Sequence, residues 1–313
     1  MKYLFVIAGC FLTFSFVSCQ VRISGIISGY ESERIVLQIS TDGFASGKHF
    51  KRIKVKTDDK GRFAIDIPDF YNISTYNGIK IRRKWFNFYL EPGDSLYIIA
   101  DKNNLDNIKF DTKYPSRSYF CNDYYEKLQE RRKIAISQYP LDTIKRLNKI
   151  IELEYKLLND YLTNNNLDTI FYAYMSEYTK YSKFNLIGGK LKSDYYQTIE
   201  DEIEFDNELL KYNLIYYSVL NQHLASKNVI VLDFYSIDGI KNGFKIAEKY
   251  FNNGFIDGCK AYYLWVAYNS WSNSKLLNSP GFKTIVEQFI SECSDQITKK
   301  EISLLKDKFE SKN

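Results

Sequence analysis

The chain has 313 residues, 45% of them hydrophobic and 17% aromatic, with a formal net charge of +5. That length points to two domains, and that composition excludes a disordered or collagen-like chain. The weak positive charge gives no footprint for nucleic acid, and a count of two histidines, His49 and His223, excludes a His-rich metal site.

Lys2 is the only charge in residues 1–18, and Leu4 to Val17 is apolar apart from Gly9, Thr13 and Ser15. A membrane-spanning helix needs about 20 apolar residues, and this run is shorter. A basic start, an apolar run of about 7–15 residues and a small residue at its end define a secretory signal. Val17-Ser18-Cys19 resembles the bacterial lipobox, whose cysteine is acylated and becomes the first residue of the mature protein. Phe16 stands where that pattern usually has Leu. Residues 1–18 are therefore expected to be a signal peptide and Cys19 the lipidated residue. An ordinary signal peptide or an uncleaved short anchor is the alternative. Gln20-Val21-Arg22 places no acidic residue after the cysteine. This leans towards an outer-membrane lipoprotein facing the periplasm, with cell-surface display left open.

Cys10 belongs to the signal, which leaves Cys121, Cys259 and Cys293. No two stand at a C-x-x-C spacing, so neither a thioredoxin-type redox motif nor a zinc knuckle is present. In an oxidising compartment three cysteines allow one disulfide, and buried thiols are the equal alternative.

Residues 19–112 are expected to form an antiparallel β-sandwich or open barrel. Period-two alternation marks strands with one wet face. In HFKRIKVKT, Ile53 and Val55 point one way and Arg52, Lys54 and Lys56 the other. GRFAIDIP alternates Phe63, Ile65 and Ile67 with Ala64 and Asp66. NGIKIRR sets Ile79 and Ile81 against Lys80 and Arg82, and Arg83 and Lys84 continue the run. Asp59-Lys60-Gly61 reads as a short hairpin turn, and Glu91-Pro92-Gly93-Asp94 as a reversal between WFNFYLE and SLYIIA. The basic set Lys54, Lys56, Lys80, Arg82, Arg83 and Lys84 belongs to a domain that starts beside Cys19. It is expected either to face anionic lipid head groups or to be an ordinary solvated strand face.

Three segments of this region resemble the β domain of unknown function numbered 4369. They are Gly25-Ile26-Ile27, Asp59-Lys60-Gly61-Arg62-Phe63 and Leu90-Glu91-Pro92-Gly93-Asp94-Ser95-Leu96-Tyr97-Ile98. The resemblance spans residues 20–112, and its motifs are mostly turn chemistry. It implies a lipoprotein of a Bacteroidota-type bacterium, in which this domain usually precedes a helical segment and a thioredoxin-like disulfide reductase domain. No W-C-x-x-C motif occurs up to Asn313, so that redox activity is not carried over. Glu91 and Asp94 are open to reading as paired acid–base carboxylates, with turn capping the favoured alternative.

From 113 to 313 the period changes to 3.6, and an all-helical domain is expected. Leu147, Ile150, Ile151, Leu158, Tyr161 and Leu162 share one face. Phe282, Ile285, Val286, Phe289, Ile290 and Cys293 mark another helix, opened by Ser279 and Pro280. Thr298 and Glu301 have the spacing of a capping box for a last short helix. Phe171, Tyr174, Tyr178 and Tyr181 form an aromatic stripe, and Tyr262, Tyr263, Trp265, Tyr268 and Trp271 a second cluster. Both fit helix core by default. Tyr174, Tyr178, Tyr181, Trp265 and Trp271 are the candidates for an exposed platform that stacks sugar or peptide. His223 is expected to cap carbonyls near a helix end.

The fold class expected is α+β, an N-terminal β-sandwich or open barrel followed by an all-helical domain. The function expected is a non-catalytic, membrane-anchored lipoprotein acting as a binding or accessory module, without cofactor, metal or nucleic acid. A separately encoded thioredoxin-like protein is one candidate partner. An enzyme of another class and a structural envelope protein are the alternatives; G-x-S-x-G and phosphate-loop motifs are both missing.

Overall fold

The computed structural model describes residues 20–40, 50–68, 70, 74–186, 202–227, 230, 232–270 and 274–311. The signal segment, Cys19 and Trp271 lie outside the described residues. The strands are β1 (Val21–Ser28), β2 (Arg34–Ser40), β3 (Phe50–Lys56), β4 (Arg62–Ile67), β5 (Ser74–Ile81), β6 (Lys84–Leu90), β7 (Ser95–Asp101) and β8 (Asn104–Asp111). They form two four-stranded sheets, in the orders β4-β1-β7-β8 and β3-β2-β5-β6. The alternation seen in the sequence builds the layer between them. Val21, Ile23, Ile35, Leu37, Ile79, Phe88, Leu96 and Ile98 all lose their solvent contact there. A sandwich followed by helices is the α+β class that the periodicities predict.

Two details depart from expectation. The sandwich is not wholly antiparallel, because β1 runs parallel to β7, with Arg22 opposite Ser95 and Ser28 opposite Asp101. Nor does Asp59-Lys60-Gly61 close a hairpin within one sheet. The turn itself is tight: Asp58 accepts the N–H groups of Lys60 and Arg62, each at 2.8 Å. Gly61 there takes φ +72°, a left-handed conformation that glycine adopts without steric cost. Yet β3 pairs with β2 and β4 with β1, so the strands that it joins enter opposite sheets. Turn residues fix where the chain reverses; the partner is decided by which face each strand must bury.

The sandwich has two distinct ends. Gln20, the β6–β7 turn and the exit of β8 lie at one, where the Arg22 N–H bonds the Asp94 carbonyl at 3.0 Å. The β1–β2, β3–β4, β5–β6 and β7–β8 connections gather at the other. There the Tyr30 hydroxyl accepts from Arg82 N–H at 3.2 Å, and Lys102 meets Glu33 at 2.8 Å. Eight residues of β1 separate the ends by roughly 25 Å.

Helix α1 (Pro115–Glu126) joins the sandwich to the helical domain. It lies along β6, an edge strand whose outward N–H groups have no strand to bond. Ser118 Oγ accepts from Tyr89 N–H and Asn122 Oδ1 from Asn87 N–H, each at 3.2 Å, while Glu126 meets Lys84 at 3.1 Å. The spacing matches: four helix residues rise about 6 Å and two strand residues about 6.7 Å, so one polar stripe of α1 reads successive open positions of β6. Tyr119 reaches the other sheet, its hydroxyl accepting from Phe110 N–H on edge strand β8 at 3.2 Å. One helix thus covers the open side of both sheets, a common protection for exposed edges.

The remaining helices are α2 (Leu128–Gln138), α3 (Thr143–Asn164), α4 (Thr169–Leu186), α5 (Leu214–Ser226), α6 (Ile237–Tyr250), α7 (Asn253–Asn269), α8 (Ser274–Leu277), α9 (Pro280–Glu292) and α10 (Gln296–Glu310). Their core is rich in tyrosine, and the rings are buried with hydroxyls led to polar partners. Tyr216 donates to the Glu204 carbonyl at 2.9 Å, Tyr217 to the Lys211 carbonyl at 2.8 Å and Tyr263 to Asn221 Oδ1 at 2.8 Å. Gly258 and Gly243 make room for these rings. A Cβ on Gly258 would stand 2.1 Å from the Tyr217 hydroxyl, and one on Gly243 would stand 2.3 Å from the Tyr263 ring. Ser279 caps α9 with Pro280 in its first turn, as expected. The capping-box reading of Thr298 and Glu301 is corrected. Asp295 is the cap, accepting Thr298 N–H at 2.8 Å, and Thr298 and Glu301 lie buried within a 15-residue helix.

Candidate functional site

The cross-strand register assembles a basic surface on the outer face of the β3-β2-β5 sheet. Arg34 stands opposite Lys56, Val36 opposite Lys54 and Gln38 opposite Arg52. On the other side of β2, Val36 faces Lys80 and Gln38 faces Gly78. Ile35, Leu37 and Ile79 alternate into the core, so Arg34, Arg52, Lys54, Lys56 and Lys80 share the outward face. Among the described residues none of the five forms an ion pair, and no carboxylate lies in these outward rows. Rings flank the patch: Phe50 lies 5.4 Å from the Arg52 guanidinium, and Trp85 lies 5.9 Å from Lys80 Nζ. The indole extends over Gly78, where a Cβ would be 3.5 Å from Trp85 Cε3.

The membrane-facing set is redistributed by this geometry. Lys54, Lys56 and Lys80 belong to the face. Arg82 and Arg83 form the β5–β6 turn, at the end of the sandwich remote from Gln20, where Arg82 takes φ +57°. Lys84 turns towards α1 and bonds Asp106 at 2.8 Å and Glu126 at 3.1 Å. The Asp106 bond, with help from Glu126, raises its pKa. The six residues therefore do not form one contact surface at the Gln20 end of the sandwich. Arg34 and Trp85 were not singled out in the sequence. The alternation of RIVLQIS exposes Arg34, but only the pairing with β3 reveals its neighbours.

The proposed aromatic platform is also corrected. Phe171, Tyr178, Tyr181 and Trp265 are buried in the helical core, and Tyr174 is half-buried against it. Tyr181 meets Tyr216 edge-on at 5.1 Å and donates to the Glu204 carbonyl at 3.2 Å. Helical spacing turned these rings inward, where packing uses them. His223 stands in the last turn of α5, near the helix end as expected, and is buried there 6.2 Å from the Phe205 ring.

A second charged cluster sits where the two domains meet. Arg117, 4% exposed, bonds Glu91 of the β6–β7 turn and Asp168 ahead of α4, at 2.7 and 3.0 Å for the latter. Its guanidinium lies 3.9 Å from the Tyr114 ring and 5.1 Å from Tyr89. Burial works against that charge, but Asp168, Tyr89 and Glu91 together more than offset it. Burial also pushes Asp168 up, and the Arg117 bonds with Phe171 N–H override it and hold the carboxyl low. Asp94 caps its turn by accepting Glu91 N–H at 2.7 Å, which supports the capping reading. Glu91 serves the domain junction. No sequence pattern distinguished Arg117 or Asp168.

Cys121, Cys259 and Cys293 are buried, free thiols. Burial pushes Cys259 and Cys293 up to about 12, so they are poor sources of thiolate. Among the described residues no cluster of His, Cys, Asp and Glu could hold a metal ion, and no helix is long and apolar enough to cross a membrane. A groove of ≈ 310 Å³ between α6, α7 and α9 carries Lys241, Lys245 and Lys260, but Glu248 and Asp257 line it too. Lys260 is bound to Glu248 at 2.6 Å. The β-sheet face is the stronger candidate because its charge is of one sign. Comparison with family models, curated proteins and solved structures finds no match to this chain.

Proposed function

We propose that this protein is a lipid-anchored, non-catalytic binding module of the bacterial envelope, held at Cys19 in the outer membrane and facing the periplasm. The observation that carries the binding role is the outward sheet face with five cations and no described carboxylate. Among the described residues none of the five is paired with a carboxylate, so the like-charged face is open to an anionic partner. The anchor rests on the Val17-Ser18-Cys19 pattern. It is supported by Val21, which is already fully buried in a central strand and leaves one residue between Cys19 and the fold.

The β domain is read as one of the 4369 type. Its D-x-G-x-F and L-E-x-G-D motif residues make the turns described above. A thioredoxin-like protein remains a candidate partner on that resemblance. With Cys121, Cys259 and Cys293 buried as free thiols, this reading assigns any dithiol chemistry to the partner. Fractionation tests the anchor. The wild-type protein should sediment with membranes and require detergent for release, and Cys19→Ala should not. Equal release of both without detergent would remove the anchored reading.

A further inference from the structure

We propose that the outer face of the β3-β2-β5 sheet binds an extended acidic polysaccharide, its anionic groups on Arg34, Arg52, Lys54, Lys56 and Lys80 and a sugar ring against Trp85. This deepens the binding-module reading and rests on it.

Edge protection is the first competing explanation. β3 is an edge strand, and lysines on an edge deter pairing with other chains. That accounts for Arg52, Lys54 and Lys56. It does not account for Arg34 and Lys80, which lie on the interior strands β2 and β5. Moreover, Arg34 and Lys56 are directly opposed, an arrangement that destabilises an antiparallel pair. The fold gains nothing from that juxtaposition, whereas an anion bound across it would relieve the repulsion.

The shape indicates the kind of anion. Lys54 and Lys80 flank Val36 on either side, two strand spacings or roughly 10 Å apart. Between those two rows lie the β2 residues Val36 and Gln38, and Gly78 on β5 leaves the Trp85 indole uncovered by a side chain beside Gln38. Along β3 the cations recur every second residue, about 7 Å. A repeating anionic chain suits that grid better than one compact anion. A flat, half-buried indole beside a lysine offers a ring face for the C–H side of a sugar. An anionic bilayer fits less well. The face runs along the strands, with Arg34 and Lys56 at the end remote from Gln20, so a membrane at the anchor would meet the near-end turns first.

The test uses the full chain in mild detergent, with polygalacturonate as probe. Neutral dextran, oligo-dT and phosphatidylglycerol vesicles are the comparators. Polygalacturonate should retard the protein in an affinity gel, dextran should not, and rising salt should weaken the effect. Arg34→Gln with Lys80→Gln should lower the affinity about tenfold or more, as expected for two lost charge-assisted contacts. Its thermal midpoint should be unchanged or higher. Trp85→Ala should weaken polygalacturonate binding while leaving the salt dependence in place. Lys145→Gln with Lys299→Gln, which removes the same charge elsewhere, should bind as wild type. The proposal is overturned by no retardation at low salt, by equal loss in that control, or by full binding without Trp85. Tighter binding to oligo-dT or vesicles than to polygalacturonate also overturns it. None of these outcomes bears on membrane fractionation, so failure here is separable from failure of the anchored reading.

Discussion

Arginine is used in two opposite ways in this molecule. At the domain junction Arg117 is buried, bonded to two carboxylates and ringed by Tyr89, Tyr114 and Phe171. On the β3-β2-β5 face Arg34 is exposed, opposite Lys56, with no described carboxylate in its row. The contrast separates a charge that the fold requires from one that the fold tolerates. A buried guanidinium without partners would be untenable, so everything around Arg117 is arranged for it. Water screens Arg34, so its neighbours are free to answer to something outside the chain.

The largest effect is expected at the junction. Arg117→Ala leaves Glu91 and Asp168 facing each other without their cation and should lower unfolding free energy by about 3–5 kcal/mol. Urea denaturation measures this. A loss below about 1 kcal/mol, the range of an exposed pair, would erase the contrast.

A smaller effect is pH-dependent. The folded state lowers the pKa of Asp168 from 3.8. Its contribution is therefore complete above that ordinary value and is lost as pH falls through the lowered one. Asp94 acts in the opposite sense, because burial raises its pKa. The stability gap between wild type and Asp168→Asn should be constant near neutrality and narrow in acid. A gap that widens in acid would refute the assignment.

The smallest effect has the reverse sign. Arg34→Gln removes a like-charge pair and should stabilise the protein by roughly 0.2–1 kcal/mol, the usual size of a cross-strand term. Thermal unfolding would show it as a slightly raised midpoint. A clear destabilisation would mean that Arg34 has a structural partner after all.

The sequence made the strands legible because burial on one face imposes period two, and β3, β4 and β7 follow the predicted runs. The helical stripes were equally legible, and with them the change from strands to helices after Asp111. What could not be read was anything set by pairing at long range. The turn at Asp59-Lys60-Gly61 shows a reversal but not that it crosses between sheets. Arg34 and Lys56 are adjacent in space and 22 positions apart in sequence. The aromatic candidates failed for the complementary reason. The helical period that placed Tyr178 and Tyr181 on one stripe cannot say whether that stripe meets solvent or protein, and here α4 turns it inward.

The position of β1 has a mechanical consequence. A pull applied at Gln20 acts along a central strand, bonded to β4 on one side and to β7 on the other. Because the ladder bonds lie across the strand direction, such a load shears six register pairs with β4 and seven with β7 together. Peeling would break them singly. If Cys19 is the anchor proposed above, a load on it would meet that collective resistance before any strand could slide.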